Sequence, residues 1–146
     1  MARNYLQGKY VVKNKEKYIG DVSNVFFRSS WERKLCLYLD SNPDVLKWGS
    51  EEIVIRYVSP ADNRVHRYFP DFFMTYKDKA GAVKKVVIEV KPLKQTQPPQ
   101  GKRMTKFLVE EYKTYAVNLA KWNAAKEWCL DNGCEFVIMT ERELRI

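Results

Sequence analysis

An acid and a lysine two residues apart, in Ile88-Glu89-Val90-Lys91, follow an aspartate set among aromatics in Phe69-Pro70-Asp71-Phe72-Phe73. On a β-strand the side chains of Glu89 and Lys91 share one face, because the pleat alternates with a period of two. Between the two motifs stands Asp78-Lys79-Ala80-Gly81, a turn sequence with glycine where a left-handed residue is required. With Lys79 to Gly81 as the loop, Asp78 pairs with Ala82, and counting outward sets Asp71 directly opposite Glu89. Such partners have Cβ atoms roughly 4.5–5.5 Å apart. Two carboxylates that close repel each other unless a cation lies between them. A divalent metal ion, with Lys91 beside it, meets that need, and metal plus lysine is the equipment of phosphodiester hydrolysis.

Each residue also has an ordinary reading. Asp71 could pair with Arg67 or Lys91. Glu89 interrupts the apolar run Val86-Val87-Ile88, where a charge is costly unless paired or bound to metal; an ion-pair network with Lys91 would satisfy it without chemistry. Lys91 could be a plain strand-end lysine, with Pro92 behind it stopping further pairing. Glu32 shares a helical stripe with Leu35, Cys36 and Leu39, which turns its carboxylate toward the core side. It is either a capping-box glutamate for Ser29 or an acid supplied to the site from a neighbouring helix. His66, the single histidine, excludes any triad or metal centre built on several histidines; a surface hydrogen bond accounts for it. No serine has a histidine-activated setting, and no glycine loop cradles a phosphate.

The elements that must position these groups follow from periodicity and stop signals. Ser29 to Asp40 reads as a helix closed by Asn42-Pro43. Ile53 to Val58, Val65 to Tyr76 and Val83 to Lys91 read as a three-strand meander. Pro92 to Gly101 is a proline- and glutamine-rich surface loop. Thr105 to Asn132 is a long helix with Leu108, Tyr112, Tyr115, Leu119, Trp122, Ala125 and Cys129 on one face, ended by Asn132-Gly133. Phe136 to Met139 is a short strand, followed by a helical turn from Glu141. Residues 1–27 read as a basic, irregular N-terminal arm, and residues 28–146 as a single domain. The expected fold is α/β (α+β): helix, three-strand meander, helix, strand, with a central mixed sheet flanked by helices. That order matches a restriction-endonuclease-like core.

The chain has 146 residues and a net charge of +8, which favours a polyanionic partner. The charge is uneven: Lys84, Lys85, Lys91, Lys94, Lys102, Arg103 and Lys106 face the single acid Glu89 over that stretch. Lys84, Lys85, Lys94, Lys102 and Arg103 are therefore candidates for sequence-blind contacts to DNA phosphates. No apolar run reaches membrane-spanning length and no signal peptide is visible, so a soluble, intracellular protein is expected. Cys36, Cys129 and Cys134, odd in number and without CxxC spacing, read as reduced cysteines in apolar positions.

Arg28-Ser29-Ser30-Trp31-Glu32-Arg33-Lys34, Trp48-Gly49-Ser50-Glu51-Glu52, His66-Arg67-Tyr68-Phe69-Pro70-Asp71-Phe72 and Ile88-Glu89-Val90-Lys91-Pro92 resemble the head-completion nucleases of T-even-type tailed phages. The core of those proteins is similar to the N-terminal nuclease domain of the transposase subunit TnsA. Asn118, Lys121-Trp122, Ala125, Trp128 and the segment Gly133 to Thr140 fit as well, so the resemblance covers nearly the whole chain. It implies a magnesium-dependent DNA endonuclease with Glu32, Asp71 and Glu89 as its acids and Lys91 as catalytic lysine. Asp71, Glu89, Glu32 and the Val90 carbonyl would hold Mg²⁺, and Mn²⁺ would substitute. The resemblance further implies a virion component of the head–neck region, present in host cytoplasm during assembly. It would act on double-stranded DNA after packaging, beside portal, neck and head proteins, with no membrane and no small-molecule cofactor. Two other readings stay open: a structural DNA-binding virion protein with a vestigial site, and a junction-resolving or repair nuclease of the same fold.

Overall fold

The computed structural model describes residues 7–145. Its centre is a four-stranded mixed sheet of β3 (Val45–Ser50), β6 (Phe72–Lys77), β7 (Val83–Val90) and β8 (Glu135–Met139), in that spatial order. The first three run antiparallel to their neighbours, and β8 joins β7 in parallel. A parallel neighbour needs a long crossover, and α2 (Lys106–Asn132) supplies it. Two short pairs lie outside this sheet, β1 (Gly8–Lys9) with β2 (Phe26–Phe27) and β4 (Ile55–Val58) with β5 (Val65–Tyr68).

Both helix starts expected from sequence are made. Ser29 accepts from the Glu32 amide at α1 (Ser30–Ser41), and Thr105 caps α2 by accepting from Leu108. Gly133 ends α2 in the left-handed region with φ 67°, a conformation that costs glycine nothing. A capping box between Thr140 and Glu143 opens α3 (Glu141–Leu144).

The sheet separates two cores. Leu35, Cys36 and Leu39 of α1 pack with Trp48, Phe72, Val86 and Ile88 on one face. Trp122 and Ala125 of α2 pack with Ile55, Tyr57, Tyr68, Phe136 and Ile138 on the other. Alternation along β7 therefore sends Val86 and Ile88 to α1, and Val87 and Glu89 to the α2 side.

Three expectations are corrected. The meander is not Ile53–Val58, Val65–Tyr76, Val83–Lys91: the central sheet uses β3 as its first strand, and β4–β5 forms a hairpin of its own. Val65 to Tyr76 is two strands, because Pro70 lacks an amide donor and interrupts the run between Tyr68 and Phe72. The described part of residues 1–27, read as an irregular arm ahead of the domain, is irregular but packs into that domain. Tyr10, Val12, Tyr18, Val25 and Phe27 lie in the α1 core, and buried Asp40 accepts from the Tyr10 hydroxyl (2.7 Å) and the Lys13 (2.8 Å) and Asn14 (3.0 Å) amides. Tyr5, counted with that arm, lies outside the described residues. Cys36, Cys129 and Cys134 carry free thiols, and no described helix is long and apolar enough to cross a membrane.

Candidate active site

The β6–β7 hairpin turns as its residues dictate. The Asp78 amide donates to the Ala82 carbonyl at 2.9 Å, and Gly81 takes φ 85°. The register then runs from Lys77 opposite Val83 to Phe72 opposite Ile88, and its next step sets Asp71 against Glu89. Just ahead of β6, the Asp71 carboxylate substitutes for a backbone partner: Oδ2 accepts from the Val90 amide at 2.8 Å. Since amide and carbonyl of one strand residue point the same way, the Val90 carbonyl also faces Asp71. On the other edge of β7 the Lys91 amide donates to the Met139 carbonyl at 3.0 Å.

Glu89 is 7% exposed and held from two sides. Its Oε1 accepts from the Tyr68 hydroxyl at 2.6 Å, and its Oε2 lies 3.8 Å from Nζ of Lys91. Lys121 on α2 places its ammonium 5.7 Å from the Tyr68 ring centre and 5.9 Å from that of Tyr57. Burial raises the proton affinity of Glu89, and Tyr68, Lys91 and Lys121 counter only part of it. Asp71 is pushed well above the usual carboxylate range by burial and then by the charges of Glu89 and Glu32, against the Val90 amide and Lys91. The Tyr68 phenol is raised far above its ordinary value by burial and by Glu89.

Glu32 comes from α1, which covers the opposite face of the sheet. Burial first, and then the charges of Glu51 and Glu89, raise its proton affinity, while Arg28 lowers it. The capping box is only half built, because Glu32 Oε1 accepts from the Arg28 amide (3.3 Å) instead of closing on Ser29. Arg28 pairs with Glu51, which holds a left-handed φ of 54° while its amide donates to the Asp71 carbonyl.

Glu32, Asp71, Glu89 and Lys91 are thus brought to one end of the sheet. Among the described residues no three His, Cys, Asp or Glu side chains close into a metal cage by themselves; Tyr68 and Lys91 occupy Glu89, and Val90 occupies half of Asp71. The donor set nevertheless suits a hard cation. Asp71 Oδ1 and Glu32 Oε2 accept no hydrogen bond from the described residues, and three acids with raised proton affinity are electrostatically short of positive charge.

Of the five basic residues expected on DNA, Lys94 lies nearest in sequence, in the 3-10 turn Leu93–Thr96 just past Lys91. Lys102 and Arg103 are exposed ahead of α2. Lys84 and Lys85 stand near the turn end of β7, Lys84 3.6 Å from Asp78, about 16 Å along the strand from Glu89 at ~3.3 Å per residue. His66 pairs with Asp62 at 2.8 Å and takes no part. Sequence reasoning gave no role to Tyr68, Lys121, Arg28 or Glu51. Tyr68 carried a local signal, an aromatic of the hairpin three residues before Asp71; Lys121 reaches the site only through the packing of α2.

Comparison with known proteins agrees with this architecture. The family model described as TnsA-like endonuclease N terminal matches residues 42–141, a span containing Tyr68, Asp71, Glu89, Lys91 and Lys121. Glu32 lies ahead of it. A protein of Enterobacteria phage T4 named head completion nuclease is 41% identical over 143 residues, covering 94% of this chain and 93% of the T4 protein. The mixed sheet between α1 and α2 is accordingly a restriction-endonuclease-like fold, and the chain belongs to the head-completion nuclease family, built on the TnsA-like endonuclease domain.

Proposed function

We propose that this protein is a metal-dependent DNA endonuclease that completes phage heads after packaging, at the portal and neck. The observation that carries the reading is Asp71 set against Glu89 at the strand ends, with Lys91 3.8 Å from the Glu89 carboxylate. The T4 relative's name, head completion nuclease, supports the head-completion role; on this reading the protein is a virion component made in the host cytoplasm. Asp71, Glu89 and the Val90 carbonyl would hold Mg²⁺ or Mn²⁺, with Glu32 completing the shell or ordering a water. The bound ion would supply Lewis acidity toward the phosphate and lower the pKa of a water. Lys91 places its Nζ 3.8 Å from the Glu89 carboxylate, where it would orient the attacking water and stabilise charge developing on the phosphate. Tyr68 holds Oε1 of Glu89, so the carboxylate keeps its other oxygen toward Lys91. Arg28 and Lys94 offer cations to the flanking backbone.

Supercoiled plasmid incubated with Mg²⁺ should be nicked by the wild type. Lys91→Ala, with an unchanged melting temperature, should lower the rate at least a hundredfold, the scale of losing one preorganised charge donor. Equal rates would remove Lys91 from the chemistry, and a wild type inert in both Mg²⁺ and Mn²⁺ would remove the enzyme. The partnering of Glu89 by Tyr68 and Lys91 within the protein supports a second reading, a DNA-binding virion protein with a vestigial centre. Titration calorimetry with Mn²⁺ separates them: saturable binding that Asp71→Asn abolishes supports the nuclease, and none supports the scaffold.

A further inference from the structure

The β4–β5 hairpin shows two unlike faces. Ile55, Tyr57 and Tyr68 turn inward onto Trp122 and Ala125 of α2. The outward face pairs Arg56 directly with Arg67 and Val58 directly with Val65. Directly opposed like charges destabilise a strand pair, and a two-stranded hairpin has little stability to spare. Neither guanidinium has an acidic ion-pair partner among the described residues. The valines are 57% and 64% exposed, and Phe69, 42% exposed, lies under Arg67 at 5.7 Å. Phe69 and Pro70 alone separate this ribbon from Asp71.

We infer that the outer face of β4–β5 docks on duplex DNA and presents the backbone to the acids where β6 begins and β7 ends. The inference rests on the nuclease reading and adds to it the surface that receives the substrate. Two opposed guanidinium groups cost stability in the free protein and gain it against phosphates, which they bind bidentately. The exposed Val58–Val65 pair suits sugar and base edges better than bulk water, and a two-stranded ribbon fits the duplex major groove. This surface lies next to the acids, whereas Lys84 and Lys85 stand near the far end of β7.

Fluorescence anisotropy with a labelled blunt duplex in metal-free buffer, over a salt series, tests the inference. Arg56→Ala/Arg67→Ala should weaken binding about tenfold near 50 mM salt and reduce the slope of log K against log salt by about 2, close to 0.9 per lost phosphate contact. Its melting temperature should equal or exceed that of the wild type, since the like-charge pair is gone. Lys113→Ala/Lys126→Ala removes the same charge from α2 and should bind like the wild type. Wild-type affinity and slope in the arginine variant, or an equal loss in the lysine variant, overturn the inference. A wild type that nicks plasmid while the arginine variant binds normally sinks the ribbon alone; one that neither binds nor nicks duplex sinks the nuclease reading with it.

Discussion

Tyr68 donates a 2.6 Å hydrogen bond to Oε1 of Glu89, joining the β4–β5 hairpin to the central sheet at one buried carboxylate. Its ring is 5% exposed and lies under the ammonium of Lys121. A residue of the α2 core thereby fixes the orientation of a site acid.

Tyr68→Phe should expose the value of that bond. The ring still fills its place, but Oε1 loses its donor inside the protein, a loss of about 1–3 kcal/mol. The melting temperature should drop, and plasmid nicking should slow with duplex affinity unchanged. A variant that melts and cuts like the wild type would show that Glu89 needs no help from the hairpin.

Asp71 gives a pH dependence of definite sign. Its proton affinity is raised in the folded chain by burial and by Glu89. As pH rises through the ordinary carboxylate range, the unfolded chain releases its proton first, so folding loses stability until the folded group also ionises. Metal-free Asp71→Asn should therefore melt higher than the wild type at neutral pH, with the gain shrinking toward pH 4. Thermal melts across that range check it; a gain that grows in acid would contradict the site's electrostatics. Metal binding to the wild type should release protons, and more of them at lower pH, read by calorimetry in buffers of different ionisation heat.

Asp40 acts with the opposite sign. Burial alone would raise it, but the Lys13 amide, the Tyr10 hydroxyl and the Asn14 amide together hold it below its usual value. Its contribution is complete at neutral pH and is lost as pH falls through the folded value. Asp40→Ala should cost roughly 3 kcal/mol or more, since a buried hydroxyl and two partly buried amides lose their acceptor at once. Urea unfolding at pH 7 measures this, and a change below 1 kcal/mol would mean the N-terminal segment is held by its aromatics alone.

Glu51 carries a left-handed backbone that suits glycine. Glu51→Gly and Glu51→Ala both remove the Arg28 pair, but only alanine keeps the strain. The glycine variant should melt no lower than the alanine variant, and the reverse order would show that φ at this position costs nothing.

The hairpin that sets Asp71 against Glu89 was legible because it is local: Asp78 and Gly81 fix the turn, and the turn fixes every pair beyond it. The same locality exposed α1, α2 and their stops. β3 was not legible. Trp48, Gly49 and Ser50 are buried in succession, and the register slips between Val45 and Lys47, so no alternation marks the strand. The folded N-terminal segment escaped for a related reason, since Tyr10 and Tyr18 find Asp40 and Trp48 about thirty residues away. Lys121 and Tyr68 meet only after α2 has crossed the sheet, a contact that spacing cannot report.

The parallel pairing of β8 with β7 has a temporal side. The Lys91 amide waits for the Met139 carbonyl, and the Leu93 amide for the Glu141 carboxylate. Both partners leave the ribosome after all four residues of the centre, so a nascent chain carries its acids before it has the strand that pins them. Cutting competence would come only once Met139 and Glu141 have been made, so a shorter nascent chain would hold the acids without the means to use them.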